Sequence, residues 1–114
     1  MFVRTMKNGY KNATPRDTIG SSFIGYTICT YDELVAQFGE PHNRFQEGPW
    51  QSCDWKTQVE WAFKLSGKKS TIITIYDYKS LNPARMVEVW HVGCKGDQDK
   101  IPDFFLQHKI PFGR

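Results

Sequence analysis

Nowhere in this chain does an apolar run approach the roughly 18 residues that cross a bilayer. Its opening, MFVRTMKNGYKNATPRD, also lacks the apolar core of a secretory leader. Both absences point to a protein that starts and stays in an aqueous compartment, with no membrane partner. Cysteine is scarce: Cys29, Cys53 and Cys94 lie far apart, and three thiols cannot close into a complete internal disulfide set. Free thiols in a reducing cytosol follow. The tripeptide NAT at Asn12 to Thr14 matches a glycosylation acceptor, but without a secretory context it carries no weight. Charge of one sign is also lacking. Fifteen Lys and Arg face twelve Asp and Glu, and the densest basic cluster is GKKS, which holds Lys68 and Lys69. That bias falls short of the basic stripe of a dedicated nucleic-acid binder.

Catalytic fingerprints are missing as well. There is no phosphate-binding glycine loop, dinucleotide fingerprint, nucleophile elbow or HExxH helix. The stretch most like chemistry is VEVWHVGCKGDQDK, residues 87–100, where His91 and Cys94 make a His-x-x-Cys pair. Structural zinc needs a second closely spaced pair at the other end of the site, and none exists. A thiolate nucleophile needs a base beside it, and nothing in the spacing makes these two side chains converge. The simpler reading is a strand that ends in a glycine turn before a helix. Carboxylates Glu60, Asp77 and Glu88 read as a solvated sheet face or as cross-strand partners of lysine and arginine. No metal and no cofactor is expected.

What the chain does have is rings. Eight Phe, five Tyr and four Trp exceed what the core of one 114-residue domain needs. Some therefore belong on the surface, where Trp and Tyr serve as contact residues.

Residues 1–20 mix Gly9, Asn12, Pro15 and Asp17 with few periodic apolars, and read as an irregular arm with a short strand at MFVRT. A single domain over residues 21–114 follows. SFIGYTIC reads as a strand that Gly25 weakens or bends. TYDELVAQFGEP carries a capping box, Thr30 with Glu33, and a stop at Gly39 and Pro41, which predicts a helix from Tyr31 to Phe38. Residues 42–54 lack a period and read as a loop, with Trp50 and Trp55 at or near its end as contact candidates. Val59, Trp61, Phe63 and Leu65 then alternate with polar neighbours, and TIITIYDY follows a short turn, which predicts an antiparallel hairpin. RMVEVWHV is the third strand of a meander. A last helix is expected over about 100–108, capped by Asp99 with Pro102 as its third residue.

Read in order, TYDELVAQFGEP, DWKTQVEWAFKL, TIITIYDYK and VEVWHVG resemble a loosely defined group of small uncharacterised proteins of phages and other large DNA viruses. Its segments are a helix with an FGEP-like end, a K-x-x-x-EW strand, a TIYDYK-like strand and an EWH-[IV]-G segment before a last helix. The resemblance covers about Tyr26 to Leu106, and this chain departs from the pattern at GCKGDQDKIP. It implies no activity. It does imply a small viral protein acting stoichiometrically in the host cytoplasm, or in the virion.

The expected fold is α+β: an antiparallel sheet of three to five strands with both helices on one face. Trp61, Phe63, Leu34, Phe38, Phe105 and Leu106 would form much of its core. The expected function is non-enzymatic binding of a host or viral protein, as a counter-defence inhibitor of a host nucleoprotein machine. The alternatives are a homo-oligomeric virion or assembly component and a single-stranded nucleic-acid binder. Surface contact candidates are Trp50, Trp55, Tyr76, Tyr78, Trp90, His91, Lys68 and Lys69.

Overall fold

The alternation from Val59 to Leu65 dictates a strand with one buried side, and the computed structural model has it as the second member of a twisted antiparallel sheet. The structure describes residues 10–14, 16–44, 57–65, 71–78 and 82–114. Among them β1 is Tyr10–Asn12, β2 Ser22–Ile28, β3 Asn43–Arg44, β4 Val59–Leu65, β5 Thr71–Tyr76 and β6 Val89–Lys95. The order is β1-β4-β5-β6-β2, and β3 also pairs with β4. The α+β class and the antiparallel sheet are as expected from sequence. The strand number reaches six because β1 and β3 share one edge of β4, against Phe63 to Leu65 and Val59 to Glu60 respectively. Tyr10–Asn12 therefore belongs to the sheet, inside the arm expected to be irregular. The strand expected at MFVRT lies outside the described residues.

His42 fills the gap where β3 gives way to β1. Its Nδ1 accepts the Ala62 N–H at 3.0 Å, while the Ala62 carbonyl takes the Ala13 N–H at 2.8 Å. A side chain thus completes a ladder that no backbone supplies at that position.

Helix α1, Tyr31–Phe38, forms where its capping box puts it. The Thr30 hydroxyl accepts the Glu33 N–H at 3.1 Å and the Glu33 carboxylate accepts the Thr30 N–H at 2.7 Å. Gly39 ends it at a φ of 83° with an extended ψ, so the stop uses positive φ without the left-handed helical ψ. The second helix, α2, Ile101–Gln107, starts later than expected. Asp97, not Asp99, accepts the capping bond, and it does so for a 3-10 turn over Gln98–Lys100 that leads into α2. Pro102 falls in the first turn of α2, where its missing N–H costs nothing. RMVEVWHV likewise begins as a 3-10 turn, Ala84–Met86, before β6.

The core gathers Leu34, Val59, Trp61, Phe63, Ile73, Ile75, Trp90, Val92, Ile101, Phe104 and Phe105. Phe38 of α1 and Phe104 of α2 both meet Phe63 of β4, at ring-centre distances of 4.6 and 5.1 Å. Leu106, expected inside, is 76% exposed, while Phe104 and Phe105 are buried. The helical period puts Ile101, Phe104 and Phe105, at i, i+3 and i+4, on the buried side of α2 and turns Leu106 away. No helix among the described residues is long and apolar enough to cross a membrane.

Candidate functional site

Period two along β4, β5 and β6 sends Trp61, Phe63, Ile73, Ile75, Trp90 and Val92 into the core and their neighbours to the opposite face. On that opposite face the pairing Glu60 with Tyr76, Tyr76 with His91, and His91 with Tyr26 sets one row across four strands. A bulge between Phe23 and Gly25 then changes the phase of β2. Ile24 drops into the core while Phe23 stays outside, opposite Gly93. Tyr78, just past the end of β5, comes back over the same row.

His91 stands at the centre of the cluster this builds. Its ring centre is 5.1 Å from Tyr26, 5.1 Å from Tyr78, 5.3 Å from Phe23 and 5.6 Å from Tyr76. Phe23 and Tyr26 meet edge to face at 5.0 Å. Phe23 is 50% exposed, Tyr26 41% and Tyr78 40%, and the cross-strand pair Ile28 and Val89 extends the apolar surface beside them. The imidazole is half-buried and its Nδ1 has no hydrogen-bond partner among the described residues. Burial pushes its pKa below the usual histidine value, against a smaller opposing pull from Asp77. At neutral pH His91 is therefore uncharged and behaves as a fifth flat ring.

Gly93 gives the cluster its floor. A Cβ there would stand 2.6 Å from Thr74 Oγ1 and 3.5 Å from Tyr76 Cε1, so the two strands approach where only glycine fits.

The groups that sequence offers for catalysis are parted or already engaged. His91 and Cys94 lie three residues apart on one strand, His91 in the ring cluster and Cys94 in the core, on opposite faces. Burial raises both described thiols above their ordinary range, Cys29 to about 11, so neither is a ready thiolate. Asp77 is 1% exposed and accepts from Gln58 N at 2.9 Å, Val59 N at 3.1 Å and Gln58 Nε2 at 2.7 Å. It ties the start of β4 to the end of β5. Glu60 accepts from Asn43 Nδ2 at 2.9 Å on the adjacent edge strand. Among the described residues no three of His, Cys, Asp and Glu gather as metal ligands.

One groove, of about 890 Å³, lies elsewhere, between Tyr31, Glu40, Arg44, Gln58 and Arg85. Within it the Arg44 guanidinium donates to Glu40 at 2.7 Å and to the Tyr31 hydroxyl at 2.9 Å.

Of the contact residues proposed from sequence, the structure gathers Tyr76, Tyr78 and His91 into the cluster. Trp90 is corrected: it is fully buried, meets Trp61 edge to face at 5.4 Å and donates Nε1–H to the Cys29 carbonyl at 3.0 Å. It alternates with His91, so a strand that shows one must bury the other. Trp50, Trp55, Lys68 and Lys69 lie outside the described residues. Sequence reasoning missed Phe23 and Tyr26, although Gly25 within a strand was the signal for the bulge that brings Phe23 to the same face as Tyr26. No protein-family model, curated protein or solved structure matches this chain. What the ring cluster does is a question for its own chemistry.

Proposed function

We propose that this protein works by stoichiometric binding rather than turnover, and that the partner docks on the ring cluster around His91. One observation carries the reading: Phe23, Tyr26, Tyr76, Tyr78 and His91 mass on one sheet face, and the three rings quoted above keep 40 to 50% of their surface in water. Folding alone gains little by gathering rings that stay wet, whereas rigid amphipathic rings are the favoured anchors of contact surfaces. The buried thiols and the engaged carboxylate of Asp77 supply no competing chemistry on that face. Together with the resemblance to small phage proteins, the reading takes the form of a counter-defence protein in the host cytoplasm, directed at a nucleoprotein machine.

The test is capture with an affinity handle from a host lysate at moderate salt, with light scattering to weigh what is recovered. The protein as it stands, Tyr26→Ala and Phe23→Ser are compared. Loss of a fixed-ratio partner by both variants, with an unchanged thermal midpoint, supports the reading. A partner held equally by all three moves the contact surface elsewhere, and a clean homo-oligomer with nothing attached favours an assembly role.

A further inference from the structure

We infer that the partner taken on this face is single-stranded nucleic acid, an inference that rests on the binding reading above and gives it a ligand. Rings alone would suit a protein equally well, so the deciding observation is what else shares their face. Along β4 the positions Glu60, Ala62 and Lys64 point the same way, and along β6 so do His91, Gly93 and Lys95. The register aligns Lys64 with Ile72 and Ile72 with Lys95, and it sets Lys11 of β1 opposite Lys64. Three lysines therefore form a second row parallel to the rings, four residues or about 13 Å along the strands. The row between is Ala62, Thr74 and Gly93, all buried, with Ala13 packed against Ala62 and Ile72, so rings and lysines flank a covered strip.

Acidic groups on this face are few. Asp17 sits among the lysines, where Lys64 and Lys11 help lower its pKa, but its carboxylate is held first by its own turn, accepting from Thr14 N at 3.0 Å and Thr14 Oγ1 at 3.2 Å. The Lys95 ammonium donates to the Asp17 carbonyl at 3.4 Å. Glu60, at the edge of the ring row, is bonded to Asn43. Among the described residues, three ammonium groups thus face one carboxylate at one end, and the rings occupy the other.

That division matches the two chemistries of a single strand. Bases present flat π-faces that stack on aromatic rings whatever their sequence, while the phosphates track cations. In a duplex the bases are stacked on one another and the faces are closed to a sheet surface, so the unpaired strand is the form this face takes. The mildly basic net charge of +3 agrees in sign.

The experiment is fluorescence anisotropy with labelled oligothymidylate and oligouridylate of roughly a dozen nucleotides, a length within the usual site sizes, titrated over a range of salt. Binding of at least one oligomer that weakens steeply with salt is expected. Tyr26→Ala should weaken it about 10-fold without changing the salt slope, and Tyr26→Phe should restore it, since stacking needs the ring and not the hydroxyl. The double variant Lys64→Ala/Lys95→Ala should reduce the slope by about 1.4, two phosphates at about 0.7 each. Absence of binding to either oligomer at low salt overturns the inference, as does binding that ignores both sets of variants. If the oligomers fail while Tyr26→Ala still loses a captured host protein, the ligand is a protein and only this inference falls. If Tyr26→Ala loses neither, the face is not the contact surface and the binding reading falls with it.

Discussion

Two neighbours on β6, Trp90 and His91, have opposite fates, and the difference decides which substitutions report on folding and which on contacts. Trp90 fills the space between Trp61 and α1 and its indole N–H is satisfied by the Cys29 carbonyl. Trp90→Ala should therefore cost about 3 to 5 kcal/mol, the range for emptying a buried aromatic site, read as a lower urea midpoint. A loss below 1 kcal/mol would mean that the site collapses around the smaller side chain. Gly93 is the complementary case. Gly93→Ala pushes a methyl against Thr74 Oγ1 and should cost about 1 to 3 kcal/mol. In a Thr74→Ala background most of that cost should vanish, because the obstructing oxygen is gone. If the two substitutions merely add, the close approach is not the reason for the glycine. The sequence alone could not separate Trp90 from His91 as surface or core. RMVEVWHV has apolar residues in both phases, and only the pairing with Ile75 and Tyr76 on β5 fixes which phase faces the helices. Leu106 was placed inside because successive apolar residues were read as one side, whereas a helix buries Ile101, Phe104 and Phe105 at i, i+3 and i+4 and turns Leu106 out.

Elements whose signals are local were legible, and those that depend on a distant neighbour were not. The Tyr31 to Phe38 helix carries its start and stop within ten residues, and the structure has it with the same bounds. Thr30→Ala should cost about 1 kcal/mol by removing the acceptor for the Glu33 N–H. A denaturant midpoint is the check, and an unchanged value would mean that packing of Leu34 and Tyr31 holds the first turn without its cap. In contrast, β1 and β3 are three and two residues long and exist because β4 offers an edge to both. Nothing in YKN or NR has strand periodicity of its own, so no reading of the chain in isolation finds them. The same holds for the candidate site. Tyr76, Tyr78 and His91 were visible as ring-bearing strand residues, but their meeting with Phe23 and Tyr26 needs β2, the first long strand in the chain, to pair with β6, the last.

For the whole molecule, the three histidines act in one direction on stability. Burial lowers the pKa of His42, His91 and His108 below the 6.5 that an unfolded chain would have. A base whose folded pKa is depressed binds its proton more readily in the unfolded state, so acid favours unfolding. The stabilisation is complete above about 6.5 and is lost as pH falls from there toward the lowered folded values. At His42 burial outweighs the backbone hydrogen bonds of Ala62 and Phe38, which pull its pKa the other way. His108, packed among Tyr10, Phe38 and Phe104 with Nε2 buried and without a partner among the described residues, would bring a charge into an aromatic box. On the alkaline side the sign reverses in cause but not in effect. Cys29, raised from 9.0 to about 11, stays a thiol in the fold while the unfolded chain ionises, so its contribution is lost as pH rises from about 9 through 11. Urea melts across pH should therefore give a plateau between about 7 and 9 with losses on both flanks. His108→Phe should flatten the acid flank by removing one of the three protons taken up on unfolding, and an acid flank of unchanged slope in that variant would show that His108 titrates alike in both states.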